Sequence, residues 1–166
     1  MKKIFFSSIF ILSVFAIKAQ APVQWAMRPN YDLKGDVGLL TISLPAQGAL
    51  SFTVARAAEA KNLYTWHNST TRELSPGSYD ITFWNIKIPG VVVEKGKETR
   101  ILAGVLNSKV KRPWEVWTAD SVKVYGAGGP KMVAFPPGKY IIKTGNVEIK
   151  TNIIDGQTSI FNYTAY

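Results

Sequence analysis

The chain has 166 residues, no cysteine, one histidine and a formal charge of +9. Without cysteine there is no disulfide framework, no lipid-modified cysteine and no thiolate metal site, and a lone histidine excludes a multi-histidine centre. Stability must come from an apolar core, and the basic balance favours anionic surroundings.

The first predicted element is a leader. Lys2 and Lys3 precede an apolar run from Ile4 to Ile17, broken only by Ser7, Ser8 and Ser13, with small residues at Ala16, Ala19 and Ala21. This is the pattern of a secretory signal peptide over residues 1–19, cleaved after Ala19. The run is shorter than the ~20 residues of a membrane span. An exported protein is expected, periplasmic or extracellular and without a transmembrane segment once the leader is gone; an uncleaved N-terminal anchor is the alternative. Loss of Lys2, Lys3 and Lys18 leaves a moderately basic chain.

Residues 20–36 read as an irregular, Pro-containing segment anchored by Trp25 and Tyr31, either a tail or an edge strand. From Val37 the pattern turns to β. Gly38–Leu44 has strand composition, and Leu50, Phe52 and Val54 alternate with Ser51, Thr53 and Ala55. Ala55–Lys61 is helix-prone but too short to stand alone, so it is expected as a turn or loop. Leu63–His67 returns to β character. Pro76-Gly77 then sets a turn, after which Tyr79, Ile81 and Phe83 form one face. Pro89-Gly90 is expected to break the strand before Val91–Glu94, and Lys95-Gly96-Lys97 to close a hairpin.

The same order then recurs. Val105-Leu106 follows Gly104 as Leu39-Leu40 follows Gly38. Trp114, Val116 and Thr118 alternate with Glu115 and Trp117, and residues 126–130 form the strongest loop signal. The second Pro-Gly turn, in Phe135–Tyr140, leads into Tyr140 and Ile142, with Lys139, Ile141 and Lys143 on the opposite face. Gly77 to Gly96 is 19 residues, and Gly138 to Gly156 is 18. Thr99, Ile101 and Ala103 fall where Ser159, Phe161 and Tyr163 fall. These matches predict two copies of one β unit, over 37–103 and 104–166. The expected fold is all-β, as two tandem sandwich units or one pseudo-symmetric sandwich.

The unit, P-G-x-Y followed ~18 residues on by a Gly turn, resembles small prealbumin-like sandwiches: carboxypeptidase regulatory-like domains, collagen-binding B-type repeats and PEGA repeats. That resemblance covers 74–101 and 135–161 and implies an accessory or binding module rather than a catalyst. Collagen-binding B-type repeats often carry an isopeptide bond assisted by a Glu shortly after the Tyr. Here Asp80-Ile81-Thr82 and Ile141-Ile142-Lys143 stand there, so that cross-link is not expected.

Catalytic patterns are weak. His67 with Ser69 or Ser75 and Asp80 lacks any nucleophile elbow. Acid pairs drawn from Glu73, Asp80, Glu94, Glu98, Glu115 and Asp120 carry no signal without geometry. Gly126, Gly128 and Gly129 do not precede a helix, so a phosphate cradle is not expected. Neither an enzyme nor a cofactor is expected, and no nucleic-acid motif is present. Trp rings are the more distinctive feature. Trp84 and Trp117 fall opposite the apolar run, where a ring stacks on sugars or instead packs beneath loops. Lys109, Lys111 and Arg112 precede Pro113-Trp114, as a basic ligand-holding segment or a solvated linker between repeats. The expected function is therefore an exported, non-enzymatic module that binds a protein or cell-envelope component. The alternative is glycan binding by Trp84, Trp117, Trp114, Lys109, Lys111 and Arg112.

Overall fold

The computed structural model describes residues 25–57, 59 and 61–163. The predicted leader and its cleavage point lie outside the described residues. Among the described residues fifteen strands form: β1 (Ala26–Pro29), β2 (Gly38–Ser43), β3 (Ser51–Arg56), β4 (Asn62–His67), β5 (Thr70–Leu74), β6 (Gly77–Phe83), β7 (Ile86–Val93), β8 (Lys97–Leu102), β9 (Gly104–Ser108), β10 (Trp114–Thr118), β11 (Lys123–Ala127), β12 (Lys131–Phe135), β13 (Gly138–Thr144), β14 (Val147–Ile153) and β15 (Thr158–Phe161). The fold is all-β, and among the described residues no helix is long and apolar enough to cross a membrane.

The strands make four small sheets, ordered β1-β8-β2-β5, β4-β3-β6-β7, β12-β9-β15 and β11-β10-β13-β14. They are set in a propeller-like ring. Unlike propeller blades, the sheets are not built from consecutive strands. One apolar cluster joins Leu40, Ile42 and Ile101 to Phe52, Tyr79 and Ile81, so it lies between the first two sheets. A second joins Leu106, Phe135 and Phe161 to Trp114, Tyr140 and Ile142, between the other two.

The expected prealbumin-like architecture is corrected by this arrangement, in which four small sheets form a ring and no clear sandwich. The physical cause is packing across the chain's midpoint. Ala49, in the β2–β3 loop, bridges Val133 of β12 in parallel, with Ala49 N donating to Met132 O at 2.8 Å and Ala134 N to Ala49 O at 2.9 Å. Ile86 of β7 joins the second cluster, and Met132 packs against the first.

Strand pairing follows one scheme twice. β8-β2-β5 is matched by β15-β9-β12, and β4-β3-β6-β7 by β11-β10-β13-β14. The one parallel contact of each scheme also agrees: β2 with β8, and β9 with β15. Even the register faults correspond, with a shift after Val54 on β3 and after Val116 on β10. Each Pro-Gly turn is tied back by the following tyrosine: Tyr79 OH donates to Ser75 O and Tyr140 OH to Pro136 O, both at 2.7 Å. This is the corner device of Greek-key β proteins, in which one hydroxyl satisfies a turn carbonyl.

Three local expectations change. Pro89-Gly90 does not end a strand; β7 runs through it as a bulge, with register shifting between Tyr79 and Ile81. Gly90 takes φ 70° and its N–H donates to Asp80 Oδ1 at 3.0 Å. That bulge is the extra residue that makes the first Gly spacing 19 and the second 18. Thr70–Leu74, unread in sequence, is a strand because only Leu74 of it needs to be apolar. Gly104 opens β9 directly after β8, so residues 109–113 are the β9–β10 connection rather than a linker between repeats.

The N-terminal segment supplies an edge strand, β1, antiparallel to β8. Glu98 of β8, 4% exposed, holds it there: Arg28 Nε donates to Glu98 Oε2 at 2.7 Å, and Arg100 Nη2 to Oε1 at 3.0 Å. Burial pushes the Glu98 carboxyl up, but hydrogen bonds from Thr41, Arg28 and Arg100 outweigh it and hold the group below the usual carboxylate range. A depressed folded-state pKa gives stability that is complete above the unfolded value and is lost as pH falls through the folded value. Glu98→Gln is therefore expected to lower stability by ~2 kcal/mol at pH 7. In denaturant melts that deficit should shrink steadily below about pH 4; a deficit independent of pH would contradict the assignment.

Candidate functional site

The residues singled out in the sequence are dispersed. Trp114 is 1% exposed, its ring is in the second cluster, and Nε1 donates to Gly129 O at 2.8 Å. Its expected role in ligand contact is corrected: a buried ring has no free face. Trp84 is corrected as well. It lies in the β6–β7 turn at φ 53°, not on an outward strand face. Its ring packs on both clusters, meets Tyr125 edge-on at 4.8 Å, and its Nε1 donates to Ala134 O at 2.9 Å. Trp84 thus joins β6–β7 to β11 and β12. Lys109, Lys111 and Arg112 are exposed in the β9–β10 loop, with Val110 buried between them. That loop is anchored by Thr144 Oγ1 donating to Pro113 O at 3.1 Å.

Trp117 does lie on an outer face. It is half-buried on β10, its Nε1 donates to Glu115 Oε2 at 2.9 Å, and Lys143 Nζ sits 4.6 Å above the ring centre. Ile141 stands directly across from it on β13, and Lys150 across from Ile141 on β14. Beside this row opens a groove of about 460 Å³ lined by Ala119, Lys139, Ile141, Lys150 and Asn152. Glu115 is held below the usual carboxylate range by hydrogen bonds from Lys123 and Trp117. A second hollow, about 780 Å³, lies where the β2–β3 loop meets Asn68, Ser69 and Met132, and no charged side chain lines it.

A further surface was not legible as a site. β4 is the outer strand of its sheet and reads Asn-Leu-Tyr-Thr-Trp-His, without a Lys, Asp, Glu or Pro to protect its edge. Tyr64, 45% exposed, stacks on Trp66 with centroids 5.0 Å apart and planes 8° from parallel. Arg72 of β5 stands 5.7 Å from the Trp66 ring centre, and Leu63 is also exposed. The pairing scheme makes Tyr125 the counterpart of Tyr64, since they lie opposite Val116 and Val54 respectively. Tyr125 is covered by Trp84, whereas Tyr64 has no such cover.

His67 ends β4. Asp80 is engaged with Lys87 at 2.6 Å and with Gly90, and Ser69 Oγ accepts from Leu44 N at 3.1 Å. These groups do not form a charge-relay set. Among the described residues, no group of three His, Cys, Asp or Glu side chains is placed to hold a metal ion.

No protein-family model matches the chain, and neither does any curated protein. Among solved structures, the Bacillus anthracis TIE protein is similar at 12% identity and a TM-score of 0.37, over 76% of this chain and 34% of that one. The chain therefore spans about a third of that protein's length. A likeness this distant carries no function across.

Proposed function

We propose that the protein is an exported, non-enzymatic binding module made of two tandem β units that engages a protein or cell-envelope partner at the open end of its first unit. The duplicated pairing order supports the division at Leu102–Gly104. The observation that carries the binding surface is the exposed Tyr64, stacked on half-buried Trp66, on the uncharged edge strand β4. At the counterpart position the second unit packs its half-buried tyrosine against Trp84 and presents Lys123 on the edge strand. An exposed tyrosine stacked on a half-buried tryptophan, next to the unpaired edge of an outer strand, suits a partner polypeptide, which adds backbone hydrogen bonds to ring contacts.

The test is affinity capture of envelope proteins by the mature chain and by Leu63→Lys/Tyr64→Lys. Both side chains are exposed, so the fold tolerates the change. Capture of a defined partner by the parent, reduced ~10-fold or more in the double variant, is expected. Equal recovery by both would contradict the proposed surface.

A further inference from the structure

Because both units use one pairing scheme, each position has a counterpart that folds the same backbone with a different side chain. On the outer face of β3 and β6 stand Ala55, Ser78 and Asp80; at the matching places on β10 and β13 stand Trp117, Lys139 and Ile141. Where β7 carries the Pro89-Gly90 bulge, β14 carries Lys150 opposite Ile141. In the first unit this face closes on itself, since Asp80 binds both Lys87 and the Gly90 N–H. The backbone therefore needs neither a tryptophan nor lysines here.

In the second unit the same face is concave and unevenly charged. Two of its lysines are neutralised, Lys123 by Glu115 and Lys143 by Glu148. Lys139 and Lys150 make no ion pair among the described residues, and both line the groove whose floor is Ile141. Two uncompensated cations thus flank a small apolar floor with a tryptophan one strand away. Like charges held close without a counterion are destabilising unless a ligand supplies the anion.

We infer that this groove binds an acidic glycan, with a sugar carboxylate between Lys139 and Lys150 and the C–H face of a pyranose ring against Ile141 and Trp117. A sugar acid carries both features on one small unit, an apolar ring face and an anion. Single-stranded nucleic acid fits less well, because it draws on successive aromatic platforms. This face offers one ring, and Lys143 already covers one side of it. The site is on the second unit, away from Tyr64, and does not depend on the partner surface proposed above.

The experiment is calorimetric titration of the mature chain with a galacturonate oligosaccharide. A neutral dextran oligosaccharide and a single-stranded DNA of equal charge serve as comparators. Trp117→Ala and Lys139→Ser each install the residue the first unit carries, and melting curves verify that they fold. Galacturonate is expected to bind more tightly than either comparator. Lys139→Ser combined with Lys150→Gln should weaken it ~10-fold or more, and Trp117→Ala ~5-fold. Lys111→Gln combined with Arg112→Gln removes the same charge elsewhere and should leave the affinity unchanged. No binding to the parent, an equal loss in the Lys111/Arg112 control, or DNA binding at least as tight would each overturn the inference.

Discussion

Trp84→Ala is expected to lower the stability of the whole chain by ~3 kcal/mol, more than any change to an exposed residue. The indole is wedged between the two units, touching both clusters. Truncation removes the edge contact with Tyr125 and leaves the Ala134 carbonyl, on a buried residue, without its 2.9 Å donor. The backbone adds a signed test. Trp84 adopts φ 53°, a conformation unfavourable for a bulky residue, while its counterpart Gly145 adopts φ 56° at no such cost. Alanine loses the ring and keeps the strain; glycine loses the ring and relieves it. Trp84→Gly should therefore be the milder variant by ~1 kcal/mol, the reverse of the usual order in a β region. Urea melts of the two variants check both statements. If alanine proves the milder change, Trp84 does not hold the two units under backbone strain.

The second large effect belongs to two glycines whose conformation is ordinary and whose surroundings are not. A Cβ on Gly104 would stand 2.4 Å from Ile153 Cγ2 and 2.4 Å from the Ile154 carbonyl oxygen. On Gly38 it would stand 2.2 Å from the Glu94 carbonyl oxygen and 2.7 Å from Val93 Cγ1. These are the same contact made twice: the first residue of β2 or β9 passes against the end of β7 or β14. Because the obstructing atoms include backbone, no rotamer change relieves the clash, and Gly104→Ala and Gly38→Ala should each cost ~3 kcal/mol. Gly128→Ala, with nothing within 4 Å, is the matched control and should be nearly neutral. Thermal melting of the three variants checks this, and small losses at both Gly38 and Gly104 would contradict the close approach.

These two effects mark where sequence reading succeeds and where it stops. Gly38 and Gly104, the two Pro-Gly-x-Tyr turns and the faces of Thr99-Ile101 and Ser159-Phe161 are visible as spacing, because each is a local requirement repeated at one interval. The all-β class follows from the period-two pattern for the same reason. The arrangement of four sheets does not follow, since it depends on contacts such as Ala49 with Val133 and Trp84 with Ala134, far apart in the chain. Trp84 misleads as a sequence feature because its alternation with Phe83 suggests an outward strand residue, while the chain turns there in a conformation that tryptophan rarely takes. Trp114 misleads through compensation. It lies opposite Ala127, whereas its counterpart Phe52 lies opposite Trp66, so the large ring changes strands between units. Lys139 and Ile141 were legible as an outward face, yet their significance depends on comparison with Ser78 and Asp80 once the register is known. Tyr64 gave no signal, because exposure on an edge strand is a property of sheet order.

The proposed function lies where the two units differ, first of all at the open aromatic end of the first. A photo-reactive amino acid placed at Tyr64, and separately at its counterpart Tyr125, tests it in cells that produce the full chain. A discrete, protease-sensitive adduct from position 64 and none from position 125 is the predicted result. No adduct at 64, or adducts of equal yield at both positions, would contradict it.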